Sequence, residues 1–491
     1  MAKPSKKIKS VARLLCLFGI FAAIFLWSCN DDRNADIKAP DDGQKSEDAD
    51  LVSQETTEVP DNLPEMDFGG YGFRIYVRDE MQYGEDFIAE EENGEPINDA
   101  VYARNKKIEE RFGIGIKTIL FDSGDTLAYG VQNSVRAGSD DFDIIAMHGA
   151  GAFLFAANNL SLDWFENMPY IDFDAPWWPD DITKNLSAFG RLYCMTGDIS
   201  HLGLSCTGAL LFNKYLFESL GIEYPYNDVI GGSWTLDKFM SIVRQGSGDL
   251  NGDGIISPES DRYGFEISSE WAYPINVLYC GGDRVITIGD DGVPELTVYT
   301  PRTIDIFGKF AEIVNGGATY IGNGVSGPSV NMFEDGRALF YSSSLKAVIS
   351  LRAMEQEIGV LPVPKYNEST PKYYANVDAG QNVIAIPATS TDNERTSIIV
   401  EALCAEGHRT VMPALYELSL KTKFARDDES AEMMDYIKDG RVYDYGYFNS
   451  SVSGWMAYTG RTLLVENDFN FASFYEKHAD VVKKNIEGLN K

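Results

Sequence analysis

FNKYLFESLGIEYP (residues 212–225), followed by SWTLDKFMSIV (233–243), sets the architecture of the chain. The apolar run GALLF (208–212) is short enough for a buried strand. Residues 213–220 continue it as a helix that Gly221 closes. Thr235 then stands where an N-cap belongs, and Leu236, Phe239, Met240 and Val243 share one face of a second helix. A strand that runs directly into helices is the repeating unit of α/β folds.

The same alternation extends in both directions. Upstream, Phe73, Ile75 and Val77 alternate in a first strand, and residues 98–111 read as a helix. A strand at 116–121, a helix at 125–137 and a short apolar strand at 143–147 follow, ending in the loop HGAG (148–151). This βαβαβ order predicts a mainly parallel sheet flanked by helices. Downstream, ALFY (338–341), GVLPVP (359–364) and NVIAIP (382–387) read as strands. The tail from Phe471 places Phe471, Phe474, Tyr475, His478, Val482, Ile486 and Leu489 on one helical face.

Five segments in this order resemble the extracellular solute-binding proteins of ABC importers, family 1 type. They are the opening pair above, MFEDGRALFYSS (332–343), GVLPVPKYNES (359–369), the strand at 382–387 with a helix at 392–405, and PALYELSLKTKFARDDESAEMMDYI (413–437). The resemblance spans about residues 70–490. It implies an α/β, two-lobe periplasmic-binding-protein-like fold of type II-like form, its lobes joined by hinge segments. Residues 65–203 plus 342–409 would form lobe 1, and 204–341 plus 410–491 lobe 2. A ligand held between them would bias the hinge toward closure. The resemblance also implies ABC permease subunits as partners and a monomeric receptor.

Ligands of open α/β sheets lie beyond the carboxyl ends of strands. His148 and Gly149 follow such a strand and match a family position facing the cleft. EWAYP (270–274) matches a cleft segment that bears aromatics, so Trp271 and Tyr273 are candidates to stack on the apolar face of a sugar ring. Trp455 in SGWMAY matches a late aromatic position. Ser343 and Ser344 fall where the 332–343 segment re-enters the cleft and would donate to hydroxyls. Asp378 and Gln381 are weaker candidates, and the pair Trp177 and Trp178 has no evident place. For each aromatic, burial in the core is the competing reading.

DLNGDGIISPESD (249–261) carries the sharpest chemical motif. Asp249, Asn251 and Asp253 alternate as calcium-loop ligands do, with Gly254 at the tight turn, the Ile255 carbonyl next and Ser257 after it. Ser260 stands where a bidentate glutamate is normal, so Asp261 (or Glu259) would have to complete the shell. A structural Ca²⁺ with no role in chemistry is one reading; a metal-free polar turn is the other.

The N-terminus concerns location. Lys3, Lys6, Lys7, Lys9 and Arg13 precede an apolar run of about 14 residues, too short to span a bilayer. LWSC (26–29) then resembles a lipobox, apart from the bulky Trp27, which implies a signal peptide at 1–28 and a lipidated Cys29. Residues 29–64 are acidic, polar and poor in large apolar side chains, so they read as a disordered tether reaching on the order of 30 Å. The only membrane contact implied is the lipid anchor, and the location extracytoplasmic. A folded body of roughly 425 residues remains, enough for two cores.

The whole chain carries a net charge of −33. Loss of five basic residues with the signal leaves −38, 37 basic against 75 acidic, which repels nucleic acid and anionic lipid alike. Cys194, Cys206, Cys280 and Cys404 lack metal-site spacing; a 194–206 bridge and isolated buried thiols both fit. HExxH, GxSxG and Walker A motifs are absent. The function the resemblance implies is non-catalytic capture of a small solute, expected to be a neutral mono- or oligosaccharide, for an ABC importer. A secreted carbohydrate-active enzyme and an importer-independent glycan-capture lipoprotein are the alternatives.

Overall fold

A computed structural model describes residues 59–489 except 122–127, 180–181, 270–273, 275, 323–331 and 422–427. The expected signal peptide, Cys29, most of the tether, Trp271 and Tyr273 lie outside the described residues.

In chain order the strands are β1 (Tyr71–Arg78), β2 (Ile114–Phe121), β3 (Ile144–Met147), β4 (Cys194–Met195), β5 (Gly208–Asn213), β6 (Tyr263–Ser268), β7 (Ile286–Ile288) and β8 (Pro294–Leu296). The remainder are β9 (Thr319–Gly322), β10 (Ala338–Ser344), β11 (Ile358–Leu361), β12 (Ala375–Asn376), β13 (Val383–Ala385) and β14 (Arg441–Val442). They build two five-stranded sheets, ordered β2-β1-β3-β13-β4 and β11-β5-β10-β6-β9. A β7–β8 hairpin and a β12–β14 pair complete the pattern.

Each sheet is parallel on one side and antiparallel on the other. β1 runs parallel to β2 and β3, whereas β13 is antiparallel to both β3 and β4. In the second sheet β6 is parallel to β10 and β9, while β5 is antiparallel to β10 and β11. The reason is topological: local strand–helix–strand units give parallel neighbours, and a strand returning from the other sheet enters in reverse.

The opening motif forms as its residues dictate. Asn213 caps the helix Lys214–Leu220 by accepting from the Leu216 amide at 3.1 Å, and Gly221 ends it in the left-handed region at φ 65°. Thr235 caps the helix Leu236–Gly246, whose buried face is Leu236, Phe239, Ile242 and Val243. Every residue of β5 is buried because both faces are covered: Leu210 and Phe212 join one core cluster, Ala209 and Leu211 the other.

Two expectations change. HGAG is not a loop: His148 is the N-cap of the helix Gly149–Ala157, its ring accepting from the Ala150 amide at 3.1 Å. β11 pairs with β5, so residues 358–361 belong to the second sheet, although 342–409 was expected wholly with the first. The chain returns to the first sheet only at β13.

Between the sheets the chain crosses side by side. Thr207 bridges Val377 in antiparallel fashion, the Asp378 amide donates to the Cys206 carbonyl (3.0 Å), and the Val377 amide to that of Val442 (3.1 Å). Three segments, around 206–207, 377–378 and 442, thus form the connection. Among the described residues no helix is long and apolar enough to cross a membrane.

Candidate functional site

Strand directions in the two sheets bring the C-terminal ends of β1, β3, β10 and β6 toward the crossing segments. Asp378 sits on one of them, half-buried. Its carboxylate accepts from the Tyr447 hydroxyl at 2.8 Å and from the Gly380 amide at 2.5 Å. Gln381, fully buried, donates to the Asp378 carbonyl at 3.0 Å and holds the turn. Asp378 and Gln381, marginal in the sequence, stand at the centre of the connection.

The first sheet contributes Arg78 from the end of β1. Arg78 pairs with Glu80 at 2.6 Å, donates to the Tyr83 hydroxyl at 3.4 Å and lies over the Tyr83 ring. It is therefore engaged by protein groups. Burial pushes the Tyr83 hydroxyl well up, so it stays protonated and able to donate.

His148 is half-buried near Asp378. Burial lowers its pKa and Arg78 lowers it further, against an opposing pull from Asp378. The imidazole is thus neutral at pH 7. Because Nδ1 accepts from Ala150, the proton lies on Nε2, which is a donor. Gly149 is a contact point between elements: its amide donates to the Ala379 carbonyl at 2.8 Å, and a Cβ there would stand 2.7 Å from the Phe448 ring.

The C-terminal part contributes Tyr447 and Tyr458, whose rings meet edge-on at 6.1 Å. Burial, then Asp378, raises the Tyr447 hydroxyl well above its ordinary range. Trp455 is 54% exposed on the turn Gly454–Tyr458, and Tyr458, three residues on, is the ring of that turn that meets the cluster. Ser343 and Ser344 are buried in β10 against Ala209 and Gly208. The residue that reaches across from this strand end is Lys346, which donates to the Gln82 side chain.

Arg78, Tyr83, Tyr447 and Tyr458 escaped sequence reasoning. The aromatic run VYDYGYF (442–448) was the available signal for Tyr447, held in place by Asp444. That buried carboxylate accepts from the amides of Val285, Ile286 and Gly446 and from the Tyr279 hydroxyl.

Trp177 and Trp178 belong to the core. Both indole N–H groups donate to Glu401, at 2.9 and 3.2 Å. Burial pushes the Glu401 carboxyl up to about 8 against these bonds. Cys194, Cys206, Cys280 and Cys404 are all free and buried, so the 194–206 bridge is not formed.

The 249–261 loop has the alternation of a calcium loop, with its carboxylates turned on its own amides. Asp249 accepts from Gly252 (2.6 Å) and Gly254 (2.8 Å), Asp253 from Ile255 (2.8 Å), and Asp261 from Leu250 (2.7 Å) and Ser257 (2.9 Å). Asn251 bonds Asp253 and Ser260. Among the described residues no three acidic, histidine or cysteine side chains converge as metal ligands.

No family model matches the chain, and no curated protein matches it. Solved structures do. An ABC substrate-binding protein of Listeria monocytogenes in complex with cycloalternan is 12% identical (TM-score 0.51), covering 86% of this chain and 98% of its own. The GacH receptor of Streptomyces glaucescens, solved with acarbose, is 14% identical (TM-score 0.55; 84% and 99%). UgpB of Mycobacterium tuberculosis in complex with glycerophosphocholine is 14% identical (TM-score 0.53; 86% and 98%). The chain has the fold of these solute-binding proteins.

Proposed function

We propose that the protein captures a neutral mono- or oligosaccharide in the crevice at Asp378 and delivers it unaltered to an ABC importer. The observation that carries this is convergence: Arg78 at the end of β1, Tyr83 in the turn after it, His148 after β3, Tyr447 and Tyr458 from the C-terminal part meet around Asp378 on a crossing segment. A ligand touching all of them would draw both halves together. Tyrosine rings, a neutral imidazole donor and a carboxylate suit C–H faces and hydroxyls. Two fold neighbours solved with carbohydrate ligands support the same class; the glycerophosphocholine complex is the reminder that the fold does not select it. Export and anchoring through Cys29 belong to this proposal, as does the stacking role of Trp271 and Tyr273.

Calorimetry of the mature protein against a panel of neutral oligosaccharides tests it. One-to-one binding without turnover is expected, weakened at least about tenfold by Asp378→Asn and by Trp271→Ala. Steady hydrolysis of any bound glycan would instead make the chain an enzyme, and absence of binding across the panel removes the sugar reading.

A further inference from the structure

The β7–β8 hairpin reaches from one half of the molecule to the other. Its root is seated in the half built on the second sheet: β8 packs on the helix Phe471–Gly488, which packs in turn on the helix Pro301–Asn315 beside β9. The fully buried Asp444, two residues past the crossing segment at Val442, accepts from the Val285 amide (2.6 Å) and the Ile286 amide (3.2 Å). At the far end the chain turns over Gly289–Gly292, where the Gly289 amide donates to Val293 and the Gly292 amide to Gly289, both at 2.9 Å. The Asp291 carboxylate accepts from the Val293 amide at 3.0 Å. The tip is thus shaped by its own bonds, and the Gly292 carbonyl is spare to accept from elsewhere.

That carbonyl accepts from the Phe189 amide at 2.8 Å. Phe189 belongs to the first half: it lies in the two-residue turn between Ala188 and Arg191, just before β4. Beside it Lys184, on the helix Ile182–Leu186, pairs with Asp290 of the tip at 3.1 Å. This ion pair is exposed, 54% on the lysine and 99% on the aspartate, so it contributes little. The backbone bond matters more, and the turn that offers it is unusual. Phe189 stands at φ 53° and Gly190 at φ 72°, a left-handed pair whose first place normally takes Asn, Asp or Gly. A bulky side chain persists there only where its surroundings hold it. The turn's own bonds join Ala188 to Arg191 and leave the Phe189 amide for Gly292. Gly292, at φ 77°, fits closely: a Cβ on it would stand 3.4 Å from the Gly190 nitrogen.

We propose that the hairpin is a strap across the hinge, rooted at Asp444 in one half and fastened to the Phe189 turn of the other. Every partner in the contact is a protein group. The strap therefore favours the closed arrangement before a solute arrives, and the solute has less of the closing free energy to supply. Opening requires the Phe189–Gly292 bond to break, whereas the root stays seated in its own half. The strap is independent of which solute the crevice takes.

Amide-resolved hydrogen exchange and X-ray scattering of the mature protein, with no solute added, test this. Deleting Asp290 and Asp291 joins Gly289 to Gly292, a Gly-Gly loop suited to a hairpin, and draws the tip back from the turn. The Phe189 amide should be protected in the parent and should exchange about tenfold faster or more in the deletion, which should also have a larger radius of gyration. The Val285 and Ile286 amides should stay protected in both, as the mark of an intact root. If the deletion exposes them as well, Phe189→Pro decides by the same radius, since it removes the donor and leaves the hairpin untouched. A Phe189 amide that is unprotected in the parent, or an unchanged radius in the deciding variant, overturns the strap. Neither result touches the sugar reading, which stands or falls by calorimetry.

Discussion

His148 shows how much one side chain settles. Its backbone follows β3, its Nδ1 caps the following helix, and its proton is therefore on Nε2. Burial lowers its pKa, so the neutral ring contributes stability above the unfolded value of about 6.5. That contribution is lost as pH falls through the folded value, because protonation takes away the acceptor that Ala150 uses. Ligand affinity and melting temperature should therefore both be flat above pH 7 and fall together in acid, while His148→Asn, which retains a cap acceptor, flattens the affinity profile. Titration calorimetry from pH 5 to pH 8 reads this out. The sequence flagged His148 because it follows a strand, yet placed it in a loop, since histidine is an unusual helix cap. Tyr447 was missed for a different reason: its partner Asp378 is far away along the chain, and only the tertiary fold joins them.

At the scale of elements, the helix beginning at Gly149 is seated on the crossing segment with no room for a side chain. Gly149→Val should lower unfolding free energy by about 1–3 kcal/mol, measured by denaturant titration, because Phe448 beneath it is fully buried and has no space to retreat. The strands were largely legible, since alternation and short apolar runs mark them without tertiary help. Which sheet each strand joins was not. β11 is apolar throughout and fits a fully covered strand of either sheet; only its pairing with β5 decides. The 249–261 loop poses an elementary test of the same kind. Millimolar calcium should raise the melting temperature, and Asp253→Ala should abolish the rise, if the carboxylates exchange their amides for an ion. A melting temperature indifferent to calcium leaves the loop as the hydrogen-bonded turn described above.

At the scale of the whole molecule, the four thiols among the described residues are all buried. Burial raises all four, Cys206 up to about 12, so none is a ready nucleophile. Folded mature protein should not react with a thiol reagent such as dithionitrobenzoate, four equivalents should react once it is unfolded, and reductant should leave the melting temperature unchanged. A pair that stays unreactive in denaturant until reduced would restore the 194–206 bridge. The fold itself was recognisable from five ordered segments because each reports a local strand–helix junction, which neighbouring residues encode. The cluster around Asp378 was less legible, because Arg78, Tyr83 and Tyr447 reach it from distant stretches of chain.

The position of β13 between β3 and β4 has a consequence for biosynthesis. All five strands of the second sheet lie between Gly208 and Leu361, so that sheet can pair while the ribosome is still at work. The earlier-made half cannot: β3 and β4 emerge first and wait, their facing edges bare, until residues 383–385 arrive to join them. A nascent chain stalled in that interval would expose sticky backbone to its neighbours, and a holding chaperone would be most useful there.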